Sequence, residues 1–141
     1  MRTLTAALTF GENRLCIDDL RHYAEDAAAG NPYNTAFRLT VHSGEFAGSG
    51  PFECDIAALR RFAGEIEELY TFRREKADLA DLEYGSRLTL HISKTGRLTV
   101  SGTVIGRIAE QSLAFTFDAD QTALLPFRGA LCDMLQTSDK P

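Results

Sequence analysis

The sequence predicts an α+β fold: a twisted antiparallel β-sheet of about six to eight strands with two α-helices packed on one face. Three observations predict it. Apolar and polar residues alternate over several short runs, the period of a half-buried strand. Two longer segments carry apolar residues at spacings of three and four, the stripe of a helix buried on one side. The connections between the strands are shorter than the dozen or so residues that a parallel return needs, so neighbouring strands must run antiparallel.

Residues 3–10 alternate, with Leu4, Ala6, Leu8 and Phe10 on one side of a strand. A turn at Gly11-Glu12-Asn13-Arg14 leads back through a short strand, Leu15-Cys16-Ile17. Residues 18–34 read as a long connection. Asp19-Leu20-Arg21-His22-Tyr23 could start a helical turn, but Gly30-Asn31-Pro32 ends any helix there. Phe37, Leu39 and Val41 then face inward while Arg38, Thr40 and His42 face out. Ser43-Gly44-Glu45 turns the chain, and residues 46–54 return as an irregular strand interrupted by Gly48-Ser49-Gly50-Pro51, an edge or a bulge because proline cannot donate to the ladder.

Asp55 caps the first helix, and Leu59, Phe62, Ile66 and Leu69 form its stripe. The stripe reaches about Tyr70, and Arg73-Arg74-Glu75-Lys76 closes the helix with positive charge at its C-terminal end. Leu79 and Leu82 suggest a short edge strand. Leu88, Leu90 and Ile92 alternate with Arg87, Thr89, His91 and Ser93. After the turn at Lys94-Thr95-Gly96, Leu98 and Val100 alternate with Arg97, Thr99 and Ser101, and Gly102 marks a bulge. Leu113, Phe115 and Phe117 point inward from a further strand. Thr122 is the expected cap of the last helix, with Pro126 in its first turn and Leu124, Phe127, Leu131 and Leu135 as its stripe. Residues 137–141 read as a tail, and no internal repeat is visible.

A length of 141 residues fits one domain spanning 1–141. Hydrophobic residues at 44% and charged residues at 25% are ordinary for a globular protein. The net charge of −5 argues against a nucleic-acid partner, since a phosphate-neutralising surface needs excess cations. Cys16, Cys54 and Cys132 are scattered, odd in number and without metal-ligand spacing, so neither zinc nor a disulfide framework is expected. The first residues are too polar for a signal peptide, and no run is long and apolar enough for a membrane span. The expectation is a cytoplasmic protein without a cofactor.

No GxSxG elbow, P-loop or GxGxxG turn after a strand occurs, so no catalytic residue is assigned and the chain is not expected to be an enzyme. His42 and His91 could approach each other if their strands were neighbours, and would then bind a metal or move a proton; exposed sheet histidines are the simpler reading. Asp118-Ala119-Asp120 before the last helix reads as capping charge. The outward strand positions, including Arg38, Thr40, His42, Arg87, His91 and Arg97, contain no carboxylate in this reading, which makes that face a neutral to basic platform. Tyr23 and Tyr33, with Asn31, Asn34 and His22, give the long connection the composition of a binding loop.

Three stretches, FECDIAALRRFAGEIEELY, RLTLHISKTGRLTVSG and LAFTFDADQTALLPFRGALCDML, resemble the WapI-type immunity proteins of bacteria. In that family an acid-capped helix follows a Phe-containing strand and precedes a Leu-rich meander, and a strand ending near Asp-Gln-Thr leads into the last helix. Here those residues are Asp120, Gln121 and Thr122. The resemblance covers about residues 46–136; the first 45 fit only as an expected set of early strands. It implies a small intracellular protein that binds and neutralises the toxic domain of a contact-delivered bacterial toxin, and it offers no catalytic residues.

The expected function is therefore a non-catalytic immunity or antitoxin protein that blocks a basic toxin domain by occlusion, as a monomer or weak homodimer. Arg38, Thr40, His42, His91, Arg97, Tyr23 and Tyr33 are the expected partner-binding residues. Two other readings compete: a small ligand-binding domain or enzyme using the His- and Arg-bearing face, and an oligomerisation or adaptor module.

Overall fold

The computed structural model of the protein describes residues 4–138. Its elements are β1 (Thr5–Phe10), β2 (Asn13–His22), α1 (Ala24–Ala28), β3 (Thr35–Ser43), β4 (Phe46–Cys54), α2 (Ile56–Tyr70), β5 (Lys76–Ala80), β6 (Arg87–Ile92), β7 (Arg97–Ile105), β8 (Ser112–Asp120), a 3-10 turn at Gln121–Ala123, and α3 (Leu124–Ser138). The fold is α+β. The expected single sheet is instead two, β1-β2-β3-β4 and β5-β6-β7-β8, each an antiparallel meander. No repeat is visible in the sequence, yet the architecture runs four strands and a fifteen-residue helix twice over.

Helix α3 lies along β1, α2 lies along β5, and the two helices pack against each other. At the other side β4 meets β7 and β8. The glycines of β4 explain how two sheets come so close. A Cβ at Gly50 would overlap the backbone carbonyl of Ile105, and one at Gly48 would sit 3.0 Å from Leu113 Cδ2. They serve close approach rather than the expected interruption: β4 pairs with β3 without a break from Ser43↔Phe46 to Thr35↔Cys54. Pro51 is tolerated because β4 is an edge of its sheet. Gly102 likewise causes no register shift between β7 and β8; a Cβ there would collide with the Arg87 carbonyl of the neighbouring strand.

The expected inward residues form one continuous core. Phe37, Leu39, Val41, Leu59, Phe62, Ile66, Leu69, Leu88, Leu90, Phe115, Phe117, Phe127 and Leu131 all belong to it. Asp55 caps α2 as expected, accepting from the Ala57 N–H. A second cap was hidden in the sequence: buried Asn34 accepts from the Ile56 N–H and donates to Asp55 and to the Asn31 carbonyl. Residues at helix N-termini need such acceptors because four N–H groups there have no helical partner.

Several boundaries differ. β2 runs to His22 instead of ending at Ile17, and the rest of the expected connection contains α1. α2 ends at Tyr70, and Lys76 opens β5 rather than closing the helix. Leu79 is buried in β5, whereas Leu82 lies beyond the strand and is exposed. The cap of the last helical segment is Asp120, not Thr122: Asp120 Oδ1 accepts from the Thr122 backbone N–H at 2.9 Å, which starts a 3-10 turn leading into α3. Thr137 continues that helix, so the expected tail begins later. The expected start at Thr3 and the residues 139–141 lie outside the described residues.

Candidate functional site: an arginine-lined cleft beside a β-bulge

Between Asp18 and Arg21 the pairing of β2 with β3 slips by one residue. Asp18 stands opposite Arg38, but Arg21 stands opposite Ala36, so one extra residue is accommodated on β2. Asp19 takes a left-handed conformation (φ 54°), which Asp tolerates better than most residues. An added residue inverts the in-out alternation that follows it. Arg21 is thereby placed on the outward face and Tyr23 just beyond it, while His22 turns inward to within 3.1 Å of the Thr35 hydroxyl. The apolar spacing around this point, Leu15, Ile17 and then Leu20, jumps from two to three; that jump is the mark the bulge leaves in the sequence.

The bulge forms one wall of a cleft of about 440 Å³ lined by Asp19, Arg21, Tyr23, Arg38, Pro51, Glu53, Tyr84 and Arg107 among others. Its other wall comes from the second sheet through two loops. Asp81 holds the first of them. Its carboxylate accepts from the N–H groups of Glu53 and Glu83, its own N–H donates to the Ser86 carbonyl, and the Leu82 N–H donates to the Glu53 carbonyl. Ser86 Oγ accepts from the Ile105 N–H, which fixes the end of β7 from which Arg107 departs. The outer edge of β4 is thus closed by this loop, and the cleft sits where the two sheets meet.

The electrostatics are uneven. Arg21 pairs with Asp19 at 3.2 Å. Neither Arg38 nor Arg107 has an ion-pair partner among the described residues, although Asp18 lies across the ladder from Arg38. Burial, with Glu83 and Asp81 nearby, raises the Glu53 carboxyl above its ordinary range.

The sequence-expected residues are divided by the structure. Arg38 and Tyr23 line the cleft. Thr40 and His42 continue the same outward face along β3, Thr40 sharing a hydrogen bond with Ser49 at 3.1 Å. His91 and Arg97 lie on the other sheet, in β6 and β7, so His42 and His91 are not on neighbouring strands and do not form the pair considered above. Tyr33 is exposed beyond α1, its hydroxyl donating to the Leu82 carbonyl at 3.2 Å. The outward faces are not free of carboxylates: Asp18, Asp78 and Asp118 occupy them, because β2, β5 and β8 place these residues opposite Arg38, Thr89 and Thr99. Arg21, Glu53, Tyr84 and Arg107 were not singled out in the sequence, the last two because they reach the cleft from distant loops.

Among the described residues no group of three or more His, Cys, Asp or Glu gathers as a metal site, and no helix is long and apolar enough to cross a membrane. No protein-family model matches the chain, and no curated protein matches it. Among solved structures, the chain is similar to one described as crystal structures of Trypanosoma bruciei MRP1/MRP2. The TM-score is 0.52 at 10% identity, covering 97% of this chain and 85% of that one. At such identity the likeness shows the fold alone.

Proposed function

We propose that this protein is a non-catalytic binding protein of the immunity or antitoxin kind, which neutralises a toxin domain by covering it. The observation that carries the reading is the cleft, where Arg38 and Arg107 stand without ion-pair partners among the described residues, beside Tyr23 and Tyr84 on a hydrogen-bonded framework. Arginine and tyrosine are the side chains in which interface energy concentrates, above all when they are held in place before binding. The resemblance of residues 46–136 to WapI-type proteins is what suggests a toxin domain as the partner. A net charge of −5 would steer a basic partner towards the protein, and the arginines would anchor it locally. The docking face in this reading is the outward side of β2, β3 and β4 together with the cleft.

The reading requires a toxin gene beside this protein's gene, and the test is a titration against the toxin domain that such a gene encodes. Binding should be weakened by about 2 kcal/mol when Arg38 is replaced by alanine, with the melting temperature unchanged. Absence of association at micromolar concentrations, or association through the exposed glutamates of α2 instead, would reject the reading. A second reading, binding of a small ligand, is favoured by the cleft's volume, which falls within the roughly 300–1,000 Å³ common for ligand sites.

A further inference from the structure

We infer that Asp81 is a positioning residue of the cleft: its buried carboxylate latches residues 81–86 onto β4, and the latch holds the two walls in place before a partner arrives. Its value to a toxin partner rests on the binding-protein reading above; the latch itself rests on hydrogen bonds alone. Antiparallel neighbours need only a two-residue turn, as between β1 and β2. β5 and β6 are joined instead by residues 81–86. Asp81 Oδ1 accepts from the Glu53 N–H at 3.1 Å and the Glu83 N–H at 3.0 Å, and Oδ2 from the Ser86 N–H at 3.4 Å. The Leu82 N–H donates to the Glu53 carbonyl at 2.8 Å. One loop thus holds both backbone groups of Glu53 that face out from the edge of β4.

The loop's other contacts run to the remaining parts of the cleft. The Leu82 carbonyl accepts from the Tyr33 hydroxyl at 3.2 Å, which ties in the connection that follows Tyr23. Ser86 Oγ accepts from the Ile105 N–H at 2.9 Å, two residues before Arg107. Gly85 turns the loop at φ 91°, and an added Cβ there would sit 3.3 Å from Ile105 Cδ1. Tyr84, in the same loop, lines the cleft together with Arg107, Pro51 and Glu53. A single carboxylate therefore sets where Tyr84 stands relative to β4. Asp81 is only 8% exposed and has no ion-pair partner among the described residues. N–H groups alone offset the cost of taking its charge out of water. A connection that served only to reverse the chain would have no need of such a group. Walls ordered in advance bind more tightly, because less freedom is lost on association.

Amide hydrogen exchange tests the latch without a partner. Asp81→Ala should speed exchange roughly tenfold or more at Glu53, Leu82 and Glu83, and leave Leu98 and Val100 in the buried part of β7 unchanged. Asp81→Asn keeps the acceptor for the Glu53 and Glu83 N–H groups and should restore slow exchange there. Should Asp81→Ala not fold, Asp81→Glu, which retains the charge but displaces the acceptor, replaces it with the same expectation. In the titration against the toxin domain, folded Asp81→Ala should bind roughly tenfold more weakly, and Asp81→Asn should recover most of the loss. Unchanged exchange at Glu53 and Glu83, or an equal rise at Leu98 and Val100, overturns the inference, since Asp81 is then idle or a general support of the fold. Undiminished toxin binding by folded Asp81→Ala also overturns it while leaving the immunity reading standing. A latch loosened as expected in a protein that binds no toxin does the reverse.

Discussion

The two sheets have the same topology, but only the first has a slipped register. On the outward face of β5 to β8, Lys76 lies 3.6 Å from Asp78 and Arg97 lies 3.9 Å from Asp118, while Arg87 has no ion-pair partner among the described residues. Hydroxyls join them, Thr89 donating to Asp78 at 2.6 Å and Thr99 to Asp118 at 3.4 Å. Its ladders run without a register shift. The outward face of β1 to β4 carries the bulge, and Arg38 and Arg107, neither with an ion-pair partner among the described residues, line the cleft beside it. A ladder in even register sets cross-strand charges opposite one another and lets them satisfy each other. The proposed docking face lies on the first sheet, beside the bulge.

The comparison can be broken in several places. The largest effect should come from what the sheets share, their common core. Phe62→Ala or Leu90→Ala removes a fully buried side chain, and urea denaturation should show a loss of about 3–5 kcal/mol for either. Equal, small losses would mean that the two sheets do not stand on one core. Next comes the contrast between the sheets. Arg38→Ala should weaken partner binding by about 2 kcal/mol, whereas Arg97→Ala, removing an exposed pair, should change binding and stability by no more than about 1 kcal/mol. Comparable losses in binding at both positions would return the docking surface to both faces.

A third effect is specific to the first sheet. Cys54 is buried at the end of β4, and its thiol is pushed up to about 12, chiefly by burial and then by Asp81 and Asp55. The neutral thiol is favoured in the folded state, so above about pH 9 the unfolded chain loses this proton first. Stability should then fall by up to about 1.4 kcal/mol per pH unit until the folded thiol also ionises near pH 12, where the loss levels off. Below pH 9 this group contributes no pH dependence. Denaturation of Cys54→Ala across pH 8 to about 11 should show a shallower slope than the parent; an unchanged slope would place the cause elsewhere.

The smallest effect concerns the passage from one half to the other. After α2 the chain closes in a Schellman arrangement, with the Arg73 N–H on the Glu68 carbonyl and the Phe72 N–H on the Leu69 carbonyl. Phe72 occupies the left-handed position at φ 59°, where glycine is favoured. Phe72→Gly should stabilise by about 1 kcal/mol if the phenyl ring contributes little packing, and the ring is in fact exposed. Thermal denaturation measures the sign. A loss of stability would show that the ring's packing outweighs the backbone strain.

Most of the architecture was legible because its signals are local. Alternation identified the inward residues of β3, β6, β7 and β8, and the apolar stripes identified α2 and α3 with their buried faces, since each pattern depends only on residues a few positions apart. Asp55 was readable as a cap for the same reason. The longest misread stretch was the second half of β2, where one added residue destroyed the period on which the reading depended. Asn34, readable only as a loop residue, proved to be a buried cap of a helix that begins more than twenty positions later.

What the sequence determined by itself was thus most of the elements, though not the second half of β2 or α1, together with their antiparallel neighbours and the composition of the core. Tertiary structure alone decided that the strands form two sheets, that His42 and His91 lie apart, and that Arg107 and Tyr84 join Arg38 and Tyr23 around one cleft. The reason is one of range. Periodicity and capping report forces within a turn or a strand pair, whereas the meeting of β4 with β7 depends on Gly48 and Gly50 letting distant backbones approach, and no local pattern records what will come near.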